Sequence, residues 1–443
     1  MPKRKQINFA ILGCGKLGHG IFEVWKNNQH KILHQTGVDL NPKYILVKHI
    51  NYKRHHMIPK NIITDNIDKI LKDDSVQVVI DAIGGIEPTY SIIKKFIDRG
   101  CHVVSANRAL LSSKLKEVFD LARENQIHLR FEAAIGGGIP LVKTLRRDLI
   151  AAKINSMWGI VSGSANYILS KMTEKKCTLK EALKSPGLRE LTEGYMMLDY
   201  EGVDAAQKVA LVSATVFGAE VSDLQIYAEG ISNLTPFDIK CAKTYGYEFK
   251  LLAIVKDRKE GLELRVHPTL VPENHPLTSV VKDYIAFYVQ TDIIGEFMIY
   301  GKGAGIYPAA SVIVRDLVDL ATTIKTSTKF MYEFPLWNPK NILPIEEIYS
   351  GYYIRIHCSD QPGVMGKIAD VMGDHKININ AAYATVEEKD KKLQRAYVHI
   401  FVKHAKEHDM KNALNIIQKL DVVKGRAAFF RIIDEEMYGE SNS

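Results

Sequence analysis

The stretch INFAILGCGKLGHGIFEVW, residues 7–25, decides how the first part of the chain folds. Its apolar run predicts a buried strand, and the residues after the glycines have the spacing of a helix. The glycines follow the pattern G-x-G-x-x-G, which allows a tight turn, the approach of a pyrophosphate and close helix packing. Free N–H groups at the start of the helix favour an anion. The stretch predicts a dinucleotide-binding turn made of Gly13, Gly15, Lys16, Leu17 and Gly18.

Two further units of the same kind follow this turn. VQVVIDAIGG (76–85) is typical of a buried strand, EPTYSIIKKFIDRG (87–100) of a helix and CHVVSANRALLS (101–112) of the next strand. This alternation predicts a doubly wound parallel sheet, a Rossmann-type domain over residues 1–130, with its ligand at the carboxyl ends of the strands. A βαβ turn without a nucleotide is the alternative. The same rim is predicted to include Ile83, Gly84, Ser105 and Arg108.

The end of the second strand bears on which cofactor is used. An acid commonly stands there and binds the adenosine ribose of NAD. After YILVKHIN the matching position is Asn51, and Lys53 and Arg54 follow closely. A missing acid beside cations tolerates or favours the 2′-phosphate of NADP.

Composition excludes several classes of protein. The 443 residues carry a net charge of +8, but the basic residues are dispersed, so a solvated surface is favoured over nucleic-acid binding. The five cysteines lack the spacing of a zinc site or a disulfide framework, which indicates a reducing cytoplasm. No apolar run approaches the length of a membrane span, and the N-terminus does not resemble a signal peptide.

The rest of the chain is predicted to form two further units. FEAAIGGGIPLVKTLRRDL (131–149) has three consecutive glycines after a strand, where carbonyl groups can crowd a ligand or an ion. Later apolar runs predict antiparallel strands, so residues 131–333 are expected to be α+β and to close a cleft beside the first domain. A proline-containing linker spans 334–350. Residues 351–443 show the order of a ferredoxin-like βαββαβ unit.

The segment LTEGYMMLDYEGVDAAQKVALV (191–212) places acids and a lysine in an apolar setting. Asp204 and Lys208 are four residues apart and share one helix face. On a solvated helix they would be an ordinary ion pair, but this helix is apolar nearly all round, so burial would be costly without a function. A lysine in a partly dry site can exchange protons near neutral pH. Glu193 and Asp199 precede the helix and suit a substrate ammonium group.

These motifs together resemble homoserine dehydrogenase with a C-terminal ACT domain. The resemblance rests on GCGKLG (13–18), VVSANRALL (103–111), GIVSGSANYIL (159–169) and DYEGVDAAQKVA (199–210), with FEAAIGGGIPLVKTL and YGKGAGIYPAASVIVRDL. It implies reversible NAD(P)-dependent oxidation of L-homoserine to L-aspartate 4-semialdehyde, in the route to threonine and methionine. It also implies that the second unit is a catalytic and dimerisation domain, and that a helix near 310–330 returns to the first domain. A homodimer or homotetramer is expected.

The resemblance also assigns roles to single residues. Glu193 would hold the substrate ammonium, Asp199 and Asp204 would order the substrate and its solvent, and Lys208 would exchange a proton with the reacting hydroxyl. A structural monovalent cation, Na⁺ or K⁺, would be held between the domains. Its implied ligands are Glu132 and the backbone carbonyls of Ile135, Gly137 and Ile139.

The chain departs from the family pattern at several positions. Arg108 replaces a lysine beside the nicotinamide and keeps its charge, but a guanidinium cannot relay a proton. Tyr195 and Met196 stand where Asp and Pro are expected, which removes a pocket carboxylate. ACT domains commonly bind an amino acid, and threonine feedback is usual in this family, but Ala384 replaces a glutamine often found there. An ACT unit that only supports oligomerisation is the alternative.

Two other functions therefore stay open beside the dehydrogenase. One is a catalytically impaired relative that binds a cofactor or an amino acid as a regulatory protein. The other is a dehydrogenase of a related amino alcohol. An acyl-phosphate-forming aldehyde oxidation is disfavoured, because no cysteine stands at a recognisable nucleophile position.

Overall fold

The computed structural model describes residues 6–52, 57–188, 196–303, 305–326, 337–388 and 394–433. Its first unit contains six strands: β1 Gln6–Leu12, β2 Asp39–Leu46, β3 Ile63–Thr64, β4 Val76–Asp81, β5 His102–Ser105 and β6 Leu129–Arg130. The helices between them are α1 Lys16–Thr36, α2 Ile67–Leu71, α3 Thr89–Asp98 and α4 Arg108–Glu124. No helix in these ranges is both long and apolar enough to cross a membrane.

All six strands pair in parallel, in the order β3-β2-β1-β4-β5-β6. The order reverses between β1 and β4, which creates the crevice where doubly wound sheets bind ligands. The strands β1 and β4 are buried on both faces, as their continuous apolar runs predict. The predicted Rossmann-type sheet is confirmed.

The second strand ends earlier than its sequence suggests. β2 stops at Leu46, so Asn51 lies in an exposed turn rather than at the strand end. Lys48, which is also exposed, stands nearer to that end. The apolar run continues past the strand because Val47 is buried and its N–H bonds to the carbonyl of Thr64. Lys53 and Arg54 lie outside the described residues.

The second unit follows from Glu132 onward. Its strands are β7 Ile154–Ile160, β8 Tyr227–Ala228, β9 Tyr247–Asp257, β10 Leu262–Pro272, β11 Tyr284–Thr291 and β12 Glu296–Lys302. Its helices are α5 Glu132–Gly136, α6 Gly163–Lys175, α7 Leu179–Ala182, α8 Met196–Tyr200, α9 Val203–Phe217, α10 Pro236–Thr244 and α11 Ile306–Thr326. The five long strands pair antiparallel in the order β12-β11-β7-β9-β10, as expected for an α+β unit.

Helix α11 leaves this unit and packs on α1 of the first sheet. The contact is close, since a side chain on Gly20 would overlap Ile306. The hydroxyl of Tyr307 donates to Glu23 at 3.0 Å. Apolar residues of α11 share one buried core with β1 and α1. The helix thereby fixes how the two units face each other.

The third unit has the order β13 Tyr349–Cys358, α12 Val364–Asp374, β14 Ile379–Glu388, β15 Gln394–Lys406, α13 Glu407–Ile417 and β16 Ala428–Ile432. Its antiparallel strands lie in the order β16-β13-β15-β14, which is the predicted ferredoxin-like arrangement.

The second and third units share a sheet, which sequence patterns did not indicate. β16 pairs in parallel with β10, joining Thr269 to Arg431 and Leu270 to Ile432. Together with β8, which pairs in parallel with β10, the two sets of strands therefore form one continuous sheet of ten strands. Pairing across so long a sequence separation leaves no local periodic signal.

Candidate active site

The glycine turn between β1 and α1 has the geometry that a dinucleotide requires. Gly13 has φ +104°, and a Cβ there would lie 2.5 Å from the carbonyl oxygen of Ala82. A Cβ on Gly18 would overlap the carbonyl oxygen of Gly13. In contrast, nothing lies within 4 Å of the position of a Cβ on Gly15, and no side chain caps the N-terminus of α1. An open space before free N–H groups fits a pyrophosphate.

Gly15→Val should therefore weaken cofactor binding without unfolding the protein. The backbone at Gly15 is extended, with φ −79°, so valine fits the fold but fills the space for the phosphates. We expect the Kd for NADP⁺ or NAD⁺ to rise by about 100-fold, because several charge-assisted hydrogen bonds to the phosphates are lost. The Tm should stay nearly unchanged.

Gly18→Ala is the matched control for that variant, because its methyl group meets backbone rather than open space. It should lower Tm. Isothermal titration and thermal unfolding measure both variants, and unchanged cofactor affinity in Gly15→Val contradicts the assignment of the turn.

The rim beside this turn is built on a buried carboxylate. Asp81, at the end of β4, accepts the N–H of Ile83 at 3.1 Å and the hydroxyl of Ser105 at 3.0 Å. Burial raises the pKa of Asp81. Asn107 caps α4 and donates to the carbonyl of Gly85 at 2.6 Å. Sequence reasoning selected Ile83 and Ser105 but missed Asp81, whose side chain orders both neighbouring turns.

Helix α9 carries the predicted acid and lysine into the cleft. It begins after Gly202, which has φ +82°, and its small apolar residues are buried on most sides. Asp204 Oδ2 lies 3.0 Å from Lys208 Nζ, and Lys208 also donates to the carbonyl of Val161. The Lys208 side chain is only 11% exposed. The pair is thus a desolvated one rather than a surface ion pair.

A second cation reaches the same carboxylate from the other domain. Arg108, the first residue of α4, forms an ion pair with Asp204 Oδ1. Asp204 therefore stands between two positive charges. Arg108 was predicted to bind the cofactor, and that stays a prediction; in the described part of the chain it pairs with Asp204.

The charges in this cluster change one another's pKa. Burial lowers the pKa of Lys208, and the charge of Arg108 lowers it further, against the opposite effect of Asp204. Burial by itself would raise the pKa of Asp204, but the two cations outweigh burial and lower it. Burial, followed by the charge of Asp204, raises the pKa of Asp199. A lowered pKa makes the neutral amine of Lys208 available at a lower pH, which suits a group that exchanges protons.

Asp199 lies across the cleft, held by a serine that sequence reasoning did not select. Ser164 donates to Asp199 Oδ2 at 2.6 Å, and its hydroxyl lies 3.1 Å from that of Ser162. Ser162 follows Val161 and caps α6, and Ser164 lies in the first turn of that helix. The small residues of VSGSAN were the available signal. Glu193 and Tyr195 lie outside the described residues.

These groups line one cleft of about 310 Å³ between the first and second units. Its wall includes Leu17 from the glycine turn, Arg108 from the rim, and the acids and lysine of α8 and α9. Apart from Leu198, the remaining lining residues are small or polar: Ala106, Ala133, Gly137, Ser162, Gly163, Ser164, Gln207, Gly303, Gly305 and Ala309. The cleft thus joins the glycine turn to the buried Asp204–Lys208 pair.

The triple-glycine segment reaches this cleft through Gly137. The Glu132 carboxylate accepts the N–H groups of Leu141, Val142 and Lys143, the last at 3.1 Å, and Arg315 lies 3.4 Å away. The Glu132 carboxylate therefore holds the residues that follow the glycines and lies beside a guanidinium. Across the described ranges, no group of three or more His, Cys, Asp or Glu side chains could hold a metal ion.

Backbone carbonyls do crowd this segment. A Cβ on Gly137, which has φ +56°, would overlap the carbonyl oxygen of Gly303, and one on Gly138 would lie 2.6 Å from that of Lys302. Ile135 and Ile139 are buried on either side of the turn. A cation held here would meet these carbonyl oxygens near the Glu132 carboxylate.

Three family models match the chain in order. A model for the NAD-binding domain of homoserine dehydrogenase matches residues 13–132. A homoserine dehydrogenase model matches 140–318, and an ACT domain model matches 352–422. The first unit is accordingly a NAD(P)-binding domain, and the third is an ACT domain.

Similarity to known proteins extends over nearly the whole chain. A homoserine dehydrogenase of Neisseria gonorrhoeae is 33% identical over 433 residues, which is 97% of this chain and 99% of that protein. One of Bacillus subtilis is 33% identical over 97% of this chain and 98% of its own. The crystal structure of a homoserine dehydrogenase from Thiobacillus denitrificans has a TM-score of 0.89 at 32% identity, covering 97% and 99% of the two chains. The chain belongs to the homoserine dehydrogenase family.

Proposed function

We propose that the chain interconverts L-homoserine and L-aspartate 4-semialdehyde with NAD(P), in the biosynthesis of threonine and methionine. The observation that carries this proposal is the position of Lys208 Nζ, 3.0 Å from Asp204 in a cleft shared with the glycine turn. A hydroxyl bound there meets a proton acceptor and lies beside the dinucleotide domain. Bound NAD(P)⁺ supplies a hydride acceptor, and the protein's own residues supply binding and proton exchange.

Lys208 is the proposed proton-exchanging group. In oxidation its neutral amine takes the hydroxyl proton, and in reduction its ammonium returns that proton to the new alkoxide oxygen. The hydrogen bond that Lys208 Nζ donates to the carbonyl of Val161 fixes the orientation of the amine. Asp204 holds the protonated form, which stabilises the charge that appears on the lysine during oxidation.

The acids across the cleft are proposed to recognise the amino end of the substrate. Asp199 is oriented by Ser164, and Glu193 precedes it by six positions. Carboxylates in a partly dry cleft favour an ammonium group strongly. This is why an amino alcohol, rather than a simple alcohol, is the proposed substrate.

The finer cofactor assignments follow the same residues. The glycine turn would hold the pyrophosphate, with Gly13, Gly15, Lys16, Leu17 and Gly18, and the rim would hold the nicotinamide side, with Ile83, Gly84, Ser105 and Arg108. Both NADP and NAD are proposed, since no acid directly follows β2. For Na⁺ or K⁺, the proposed ligands are Glu132 and the backbone carbonyls of Ile135, Gly137 and Ile139.

An amino-acid effector is proposed for the ACT domain, and a homodimer or homotetramer for the assembly. The two units that would carry these roles, residues 351–443 and 131–333, share one sheet. Residues 1–130 are the proposed cofactor domain and 334–350 the linker. Ala384 lies on an exposed part of β14, so this chain has alanine at the surface position where a glutamine is often found.

A direct assay tests the dehydrogenase. Purified protein with L-homoserine and NADP⁺ or NAD⁺ at alkaline pH should show an increase in reduced-nicotinamide absorbance. A parallel reaction with L-serine measures recognition of the chain length. One with an alcohol that lacks the amino group measures recognition of the ammonium. Folded protein that binds cofactor but turns over neither cofactor with homoserine contradicts the proposal. Faster turnover of a different amino alcohol would redirect it to that substrate.

A further inference from the structure

A buried arginine ties the ACT domain to the second unit. Arg431, on β16, is 2% exposed. Its Nε donates to Glu407 of α13 at 2.9 Å, and its Nη1 donates to Glu229 of the second unit at 2.9 Å. Its Nη2 lies 3.2 Å from the hydroxyl of Tyr227. One guanidinium therefore joins a helix of the ACT domain to a loop of the catalytic unit through charge-assisted hydrogen bonds.

The loop that carries Glu229 touches the backbone of the active site. A Cβ on Gly230 would overlap Glu201, so the two backbones are in direct contact. The N–H of Ile231 donates to the carbonyl of Tyr200 at 2.8 Å. Ser232 donates to the Glu201 carboxylate. The loop thus holds the two residues that directly follow Asp199.

The same loop also contacts the start of α9. A Cβ on Gly202 would lie 3.5 Å from the carbonyl oxygen of Glu229 and 3.1 Å from Val266. The N–H of Glu229 itself donates to the carbonyl of Val266 at 2.8 Å. Gly202 is the residue from which α9 begins, and that helix presents Asp204 and Lys208 to the cleft.

We propose that Glu229 and Arg431 are positioning residues for catalysis, which brace the turn Tyr200–Gly202 and so set the placement of Asp199 and of the first turn of α9. The proposal rests on the proposed function for its kinetic consequence. A displacement of β16 in the ACT domain would reach the substrate acids through this ion pair. The same contacts give the ACT domain a physical route to the active site.

A second buried ion pair between the same units provides a matched control. Arg355 of β13 pairs with Asp238 of α10, and Asp238 is only 2% exposed. Asp238 caps α10 through Thr235. Its hydrogen bonds to Thr235 and its ion pair with Arg355 do not involve the 199–202 turn. Breaking it loosens the docking of the ACT domain and acts on the loop that carries Glu229 only at its far end, Thr235.

The test compares Glu229→Gln with Asp238→Asn in the full-length protein. We expect Glu229→Gln to raise KM for L-homoserine by about fivefold to tenfold, within the range of couplings that such contacts carry, with a smaller change in kcat. Amide hydrogen exchange in residues 196–203 should accelerate. Asp238→Asn should lower Tm more, because its carboxylate is more deeply buried, yet leave KM and that exchange near wild type.

A double-mutant cycle separates positioning from general weakening. If the ion pair acts through Asp199, Glu229→Gln should have little further effect on KM in an Asp199→Asn background. Additive effects in the double variant, or equal effects of Asp238→Asn on KM and exchange, overturn the proposal. The exchange measurement needs no substrate. A protein without homoserine turnover would therefore contradict the proposed function and still leave the bracing testable.

Discussion

Lys208→Ala should lower kcat for homoserine oxidation by about 10²–10⁴-fold, the usual contribution of a positioned acid–base group. The variant removes the one amine that lies between Asp204 and the carbonyl of Val161 in the described cleft. Cofactor affinity should remain near wild type, because the glycine turn that would bind the pyrophosphate belongs to the other domain. Steady-state kinetics and cofactor titration measure the two quantities separately.

Lys250→Ala is a suitable control for that variant. Lys250 is another buried lysine, 3% exposed, and it donates to the carbonyls of Thr278 and Val280. The Lys250→Ala variant should be less stable but keep its kcat. It therefore shows whether removing a buried lysine by itself lowers the rate. A wild-type rate in Lys208→Ala would reject the proton-exchange role.

Arg108→Met should move the pH profile of oxidation toward higher pH. Oxidation needs neutral Lys208, so its rate rises with pH through the pKa of that amine. Burial and the positive charge of Arg108 both lower this pKa, while Asp204 and Asp199 raise it. Without the guanidinium, Lys208 keeps the negative charge of Asp204 beside it and loses the positive charge of Arg108, so the pKa of Lys208 rises. At a pH on the rising limb, kcat should fall by about tenfold or more, as expected for the loss of one nearby charge.

Arg108→Lys is the matched variant for this prediction, because it keeps the charge and loses only the planar guanidinium. Its profile should stay nearer to wild type. In the reverse direction, where protonated Lys208 is required, the falling limb should also move to higher pH in Arg108→Met. A profile that stays in place while the Kd for cofactor rises would show that Arg108 acts on the cofactor instead.

Patterns within short stretches were the reliable part of the prediction. The strand, glycine turn and helix of residues 7–25 form as expected, because each depends on spacing and steric demand among near neighbours. Asp204 and Lys208 pair as their four-residue separation predicts. The end of β2 was misplaced, since buried Val47 continues the apolar pattern beyond the last strand residue.

Contacts across the chain were not predictable in the same way. Ser164 was passed over because a serine in a small-residue turn has no distinctive pattern, and its role appears only where α8 brings Asp199 to it. Glu132 was predicted to be a cation ligand, and that stays a prediction; only the tertiary structure shows that its carboxylate accepts N–H groups of Leu141, Val142 and Lys143, which follow the glycines.

The order of residues along the chain was sufficient to establish the Rossmann-type sheet, the glycine turn and the acid–lysine helix, because these depend on local periodicity and backbone freedom. Tertiary structure alone decided which charges meet. Arg108 and Asp204 are 96 positions apart and come from different domains, and Arg431 and Glu229 are 202 apart. The energy of such pairs depends on their desolvation and distance in the folded protein. Those two quantities come into being only when the domains pack.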